Sequence, residues 1–183
     1  MRGAGTFRKV EEFEKRFGMK GCCIAGGALY KGVAKYIGMD VIEVRGATGG
    51  FDTDLHAKAE AVRRALEAYD FVFVHVKAMD SAGHDGDVGR RAEMVRRIDE
   101  MAGMLAENDA VFAITGDHST PPTKRGHSFE PVPFLVSNVQ ARKYGAGKFC
   151  EVECARGELG RFNGDKVMKI LRAYSGWTKK YGS

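Results

Sequence analysis

The apolar stretch Phe71-Val72-Phe73-Val74-His75-Val76 decides the fold, because runs of this kind are typical of buried strands in parallel sheets. A second run, Val111-Phe112-Ala113-Ile114-Thr115, follows further along the chain. Aspartate and histidine come after each run, as Asp80-Ser-Ala-Gly-His84 and as Asp117-His118. The carboxyl ends of parallel strands meet at one edge of a sheet. The sequence therefore predicts that the two polar clusters lie together.

Helical patterns separate these strands from shorter ones. Helices are predicted over residues 7–16, 29–37, 88–108 and 165–174. One more helix is predicted to begin at a cap among residues 52–54 and to end at about residue 69. Short strands are predicted over residues 41–44, 134–136 and 149–152. The inward stripes are predicted to include Leu29, Val33 and Ala34 in one helix and Val88, Ala92 and Val95 in another. Gly38 is predicted to close the first of these helices at its C-terminal end. This alternation predicts an α/β fold, a mostly parallel sheet with helices on both faces. We expect a single domain over residues 1–183.

Composition excludes several classes of function. The net charge is +5, but the basic residues are spread along the chain among Asp and Glu, so we expect no nucleic-acid partner. The charged first twenty residues lack the apolar core of a signal peptide, and no apolar run approaches the roughly 20 residues that cross a bilayer. The four cysteines form no C-x-x-C pair. We expect a cytoplasmic protein without a membrane partner.

The polar clusters, with His127 nearby, carry the side chains that bind divalent metals. Asp80 and His84 lie four residues apart in a glycine-containing segment that we interpret as a turn, so both can reach one ion. Asp117 and His118 are adjacent and point apart in extended backbone, so both bind only if the chain turns or if two ions are present. Oxygen and nitrogen donors without thiolate suit Mn²⁺ or Zn²⁺, and Mg²⁺ less well. A lone Asp-His pair is more often a capped loop, but two pairs and a third histidine favour a metal site.

These motifs resemble a known family. Asp80-Ser-Ala-Gly-His84-Asp-Gly-Asp87 and Thr115-Gly-Asp117-His118-Ser-Thr-Pro121 are similar to motifs of the archaeal-type cofactor-independent phosphoglycerate mutases, in the alkaline phosphatase superfamily. The resemblance covers essentially the whole chain and continues in Arg2-Gly-Ala-Gly-Thr6, Leu29-Tyr-Lys-Gly-Val-Ala34, Gly46-Ala-Thr-Gly49, Val74-His-Val-Lys77 and Pro131-Val-Pro133. It implies part of an alkaline-phosphatase-like, metal-binding domain.

The resemblance implies a two-metal isomerase that interconverts 3-phosphoglycerate and 2-phosphoglycerate in glycolysis and gluconeogenesis. A serine nucleophile of the family takes the phosphoryl group and returns it to the other hydroxyl. Carried over to this sequence, Asp80, His84 and His127 would hold one ion. Asp117 and His118 would help to hold the second. Lys31 is a candidate phosphate contact, and a solvated helix residue is an equally good interpretation.

The sequence departs from the family pattern because it matches only the C-terminal half. The N-terminal half carries the nucleophilic serine, a further aspartate ligand and the substrate domain. Ser81, Ser119 and Ser128 do not lie in a strand-turn-helix context that would replace the nucleophile. We therefore expect about one bound ion in this chain alone, no mutase activity in isolation, and exposed apolar surface where the other half packs.

Three hypotheses follow from this departure. The chain is the metal-binding portion of a mutase that needs a separate N-terminal polypeptide and acts on phosphoglycerate. Alternatively, it is a non-catalytic metal-binding remnant or a regulatory subunit. A third hypothesis is a related metal-dependent phosphate-ester hydrolase. Retention of all five ligands favours the first over the second, since an unused site has no physical need to keep five polar groups together.

Overall fold

The computed structural model describes residues 5–137 and 147–178, so the beginning of the Arg2-Gly-Ala-Gly-Thr6 motif lies outside the described residues. Contacts divide the chain into two compact units. The first unit comprises Met1–Ala82 and Val88–Leu105, and the second comprises Gly83–Asp87 and Ala106–Ser183. None of the helices in the described part of the chain combines the length and apolar character that a bilayer crossing demands.

A parallel sheet forms the centre of the first unit. It contains β1 (Gly21–Ala25), β2 (Asp40–Val41) and β3 (Phe71–His75) in the order β2-β1-β3. Both pairings are parallel, and Ala25 lies opposite His75 where β1 and β3 end. All five residues of β1 are buried, as expected for a central strand. The predicted α/β class with a parallel sheet is confirmed.

Two strand predictions need correction in detail. The strand predicted over residues 41–44 ends at Val41, although the Ile42 amide still donates to the Cys23 carbonyl at 3.0 Å. The β3 strand is half-buried rather than covered on both faces, and Phe73 is exposed. An apolar run identifies a strand, whereas coverage of its faces depends on which other elements pack there.

Helices lie before, between and after the strands of the first unit. They are α1 (Phe13–Phe17), α2 (Ala28–Tyr36), α3 (Leu55–Ala65), α4 (Ala78–Asp85) and α5 (Val88–Ala106), of which α4 and α5 end in the second unit. The Asp54 carboxylate accepts from the Ala57 amide at 2.8 Å and caps α3, as one of the three predicted candidates. Gly38 adopts a φ of +78° after α2, which confirms the predicted C-terminal cap.

The helix faces that point into the core differ from the predicted ones. On α5, Met94 and Met101 are buried, whereas Val88 and Val95 of the predicted stripe are exposed. On α2, Ala34 is buried as predicted, and Leu29 and Val33 are exposed. The apolar residues of each helix occupy more than one face, so periodicity alone does not determine which face the sheet covers. Unbranched methionine then fills the irregular space beneath α5.

The second unit contains a short antiparallel pair, β4 (Phe112–Thr115) and β5 (Phe134–Ser137), with Thr115 opposite Phe134. This pair departs from the mostly parallel arrangement predicted for the whole chain. Helices α6 (Glu151–Cys154) and α7 (Val167–Tyr174) follow, with a 3₁₀ turn at Gly164–Lys166. The strand predicted over residues 149–152 is wrong, because α6 begins there with two glutamates in its first turn, where the helix dipole favours negative charge.

Candidate metal centre

Three imidazoles converge within the second unit. The Nε2 atoms of His84 and His127 lie 3.2 Å apart. The ring centroids of His118 and His127 are 3.7 Å apart, and those of His84 and His127 are 5.0 Å apart. These residues come from three separate places in the chain: α4, the segment after β4, and the loop that precedes β5. The predicted association of histidines after different apolar runs is therefore present in the fold of this unit.

A backbone bridge explains how His127 reaches His118. Ser119 and Ser128, the residues that follow these two histidines, form an isolated antiparallel bridge, and the Ser128 amide donates to the Ser119 carbonyl at 3.1 Å. Residues 120–127 therefore form a closed loop with a histidine beside each end. Within this loop the amides of Lys124 and Arg125 donate to the Pro121 carbonyl at 2.9 and 3.0 Å.

Oxygen atoms orient two of the imidazoles. His84 Nδ1 lies 3.2 Å from the Arg125 carbonyl oxygen. A carbonyl can only accept, so Nδ1 is the donor of this hydrogen bond, and Nε2 is the ring nitrogen left to face the other imidazoles. His118 Nδ1 lies 3.1 Å from the hydroxyl of Thr120, which is buried. In both cases an oxygen atom orients the ring through Nδ1, as hydrogen-bonded groups do around metal-binding histidines, and Nε2 faces other members of the cluster.

Arg125 is a residue of the cluster that sequence reasoning did not single out. It is the one described non-glycine residue with a positive φ, at 49°. This left-handed conformation is disfavoured for a residue with a Cβ, and such strain clusters at functional sites. Here it accompanies the contact of the Arg125 carbonyl with His84. No sequence signal identifies a backbone carbonyl as the group that orients a histidine 41 residues away.

Asp117 lies beside the imidazoles on an exposed turn. Its Oδ1 accepts from the His118 amide at 3.0 Å, and its Oδ2 lies 3.5 Å from His118 Nε2. Adjacent side chains in a strand would point apart, but β4 ends at Thr115 and the chain turns before Asp117. The turn therefore brings the carboxylate and the imidazole to the same side, which is the first of the two arrangements that the sequence left open.

Asp80 belongs to the first unit and lies on α4. Its Oδ2 accepts from Lys77 Nζ at 2.8 Å. The glycine-containing segment that was predicted as a turn is helical instead, and Gly83 lies inside α4. Residues four apart in a helix share a face. Asp80 and His84 are consequently neighbours on α4, and the spacing that suggested a shared ion has a helical origin.

Lys31 lies on α2 in the first unit, where its ammonium pairs with the Glu43 carboxylate. This pairing gives the side chain a structural role at the edge of the sheet. A phosphate that bound there would have to compete with Glu43. The predicted contact between Lys31 and phosphate stays a prediction.

Lys58 on α3 is a buried charge that the sequence analysis did not single out. Its side chain is fully buried, and Nζ donates to the His75 carbonyl at 3.1 Å. Desolvation lowers the pKa of this ammonium from its usual value. The hydrogen bond fixes the end of β3, from which the chain continues directly into α4 and Asp80.

Comparison with known proteins places this arrangement in a family. A family model described as "Metalloenzyme superfamily" matches residues 1–173. The 2,3-bisphosphoglycerate-independent phosphoglycerate mutase 1 of Methanocaldococcus jannaschii is 44% identical over 186 residues, which cover 100% of this chain and 45% of the relative. The corresponding mutase of Methanococcus vannielii is 41% identical and is covered to 46%.

Solved structures give the same result. A protein from Pyrococcus horikoshii superimposes with a TM-score of 0.89 at 37% identity, over 94% of this chain and 46% of the other. The cofactor-independent phosphoglycerate mutase of Thermoplasma acidophilum gives a TM-score of 0.73 at 27% identity, over 91% and 40%. The resemblance drawn from the motifs is confirmed. The chain spans less than half the length of these relatives.

Proposed function

Because the chain belongs to the Metalloenzyme superfamily, we propose that it is the C-terminal, metal-binding portion of a cofactor-independent phosphoglycerate mutase. Joined to an N-terminal half, it would interconvert 3-phosphoglycerate and 2-phosphoglycerate, a step of glycolysis and gluconeogenesis in the cytoplasm. The observation that carries this proposal is the convergence of His84, His118 and His127. Their rings come from distant segments of the chain and lie against one another, so ring nitrogens that can bind a metal are brought together.

The donor set fits a divalent ion. The Nε2 atoms of His84 and His127 face each other at 3.2 Å, and His84 is oriented through its Nδ1. Two ring nitrogens in this relation share either a proton or a cation. Imidazole and carboxylate donors favour Zn²⁺ or Mn²⁺ over Mg²⁺. When bound, such an ion would supply positive charge to the oxygens of a phosphoryl group.

The chain's own residues have separate roles in this proposal. By the family resemblance, Asp80, His84 and His127 would hold the first ion, and Asp80 lies one helical turn before His84 on α4. Asp117 and His118 are two ligands of the second ion, a number too small for tight binding without a further donor. The Arg125 carbonyl and the Thr120 hydroxyl hold two of the rings in place. The nucleophilic serine would come from the N-terminal half.

Metal content of the purified chain tests the centre. We expect about one Mn²⁺ or Zn²⁺ per chain, by analogy with three-ligand sites, and its loss in both Asp80→Ala and His84→Ala. His56→Ala is the matched control, because His56 is an exposed histidine at the start of α3. Absence of binding at saturating Mn²⁺ and Zn²⁺, or equal loss in the control, would contradict the proposal.

Activity is tested by restoring the other half. The part of the M. jannaschii mutase that this chain does not match would be co-expressed with it, since the matched parts are 44% identical. We expect interconversion of the two phosphoglycerates from the pair, none from either part alone, and none when the chain carries His127→Ala. Hydrolysis of phosphoglycerate without transfer would instead support the phosphate-ester hydrolase.

A further inference from the structure

The exposed face of α2 is apolar along its whole length. Leu29, Val33 and Tyr36 follow one another at spacings of four and three residues, so they share one face of the helix. Their exposed fractions are 72%, 50% and 42%. The opposite side of the same helix is represented by Ala34, which is buried. The helix therefore has one face in the core and a second apolar face towards solvent.

The chain before α1 extends this face. The rings of Phe7 and Tyr36 meet edge to face with their centroids 5.6 Å apart, and the Tyr36 hydroxyl donates to the Arg8 carbonyl. Phe7 remains 76% exposed. Four large apolar side chains thus form one surface, which we call the α2 face: Phe7, Leu29, Val33 and Tyr36. Removing such side chains from water is favourable, so an apolar surface of this composition favours a partner.

Gly32 supplies a second, independent observation. It lies in the middle of α2, between Leu29 and Val33 on the exposed face, and is itself exposed. A Cβ added at this position would meet no heavy atom within 4 Å, so the fold of the chain does not require glycine there. Glycine inside a helix is less favourable than alanine. Gly103 in α5 shares these features, so Gly32 is informative through its place beside Leu29 and Val33, where the lack of a side chain lets another backbone approach closely.

The relatives identify the occupant. The P. horikoshii structure matches 94% of this chain with a TM-score of 0.89, but the match is only 46% of its own length. The same fold therefore occurs in a protein whose unmatched part is longer than its matched part. We propose that the α2 face is the docking surface for the N-terminal half of the mutase, supplied as a separate polypeptide. This inference rests on the proposed function and names the surface through which its two parts join.

The test uses the unmatched part of the M. jannaschii mutase as the probe, carrying an affinity tag and co-expressed with this chain. We expect stoichiometric co-purification of the untagged chain, reduced at least tenfold by Leu29→Glu and by Val33→Glu. Both positions are exposed in α2, so these variants should keep the thermal midpoint of the isolated chain within a few degrees of the parent. Val88→Glu, at an exposed apolar position of α5 outside the α2 face, is the matched control because it introduces the same charge and should leave co-purification unchanged.

Gly32→Ala separates docking from folding. The substitution should raise the thermal midpoint of the isolated chain, because alanine is the better helix former, and yet lower co-purification. Gly103→Ala is its matched control: Gly103 is also exposed within a helix, α5, and a Cβ added there would likewise meet no heavy atom within 4 Å. It should raise the midpoint similarly and leave co-purification unchanged.

Several outcomes would overturn the inference. Failure of the probe to capture the parent chain is one, and capture that survives both glutamate variants is another. Sedimentation that shows a stable homodimer broken by Leu29→Glu would assign the face to a second copy of this chain. Mutase activity distinguishes this inference from the proposed function. If the two polypeptides are active together and the glutamate variants leave that activity unchanged, the proposed function stands and the docking surface is wrong. If they co-purify through the α2 face but show no activity, the docking surface stands and the proposed function is wrong.

Discussion

The two units of the chain differ in how many apolar side chains they bury. Buried apolar side chains of the described residues belong almost entirely to the first unit, and Ile170 is the exception in the second. The second unit instead contains four of the five candidate ligands, His84, Asp117, His118 and His127. Hydrophobic burial therefore stabilises the unit that contains the parallel sheet. The other unit has little apolar core among its described residues, and we expect a bound ion to contribute to its stability, as in small metal-dependent domains.

Removing core from the first unit should have the largest effect. Met94 is fully buried and packs in a cluster with Leu55 and Met101. Met94→Ala should lower the free energy of unfolding by about 2–5 kcal/mol, because it removes apolar contacts and leaves a cavity. Urea unfolding measures the change. The neighbouring Val95→Ala, at an exposed position of α5, should cost less than about 1 kcal/mol. Equal losses of unfolding free energy in the two variants would show that Met94 does not lie on a buried face of α5.

Adding metal should act on the second unit. Zn²⁺ or Mn²⁺ at a hundredfold excess over Kd should stabilise the folded state by about 2.7 kcal/mol. Hydrogen exchange should slow for amides in residues 112–137 and change little in β1, which is buried without metal. His84→Ala is the control and should abolish the response. Protection that rises first in β1 would break the contrast between the two units.

Lys58 gives a smaller test, which depends on pH. Its pKa is lowered in the folded state by desolvation from the ordinary value of 10.5. Below the folded pKa the ammonium is charged in both states, and the full desolvation penalty opposes folding. As the pH rises towards 10.5, the folded state loses its proton first, so the unfolded state binds more protons and stability increases.

The parent chain should therefore gain stability relative to Lys58→Met between neutral pH and pH 10.5, as measured by urea unfolding at several pH values. Lys35→Met, at an exposed position of α2, controls for the changed net charge. A difference between parent and Lys58→Met that stays constant with pH would show that Lys58 is neutral throughout, or solvated, and that the first unit does not enclose a charge.

Local sequence predicted some elements well and others poorly. The β3 and β4 strands, the capped start of α3 and the end of α2 at Gly38 were all identified, because each depends on adjacent residues: an apolar run, a capping carboxylate or a glycine at positive φ. The strand predicted over residues 149–152 was wrong, since four residues carry too little periodicity to separate strand from helix. The ligand roles of the five candidate residues stay predictions.

By itself, the sequence determined the α/β class, the membership of a metalloenzyme family and the kinds of side chain that would bind a metal, because these are properties of neighbouring residues and of motifs. Only the tertiary structure decided which face of α2 and α5 enters the core, that Asp80 and His84 share a helix, and that the Arg125 carbonyl orients His84. These features depend on contacts between segments far apart in the chain. Such contacts follow from the packing of the whole unit, which no local pattern encodes.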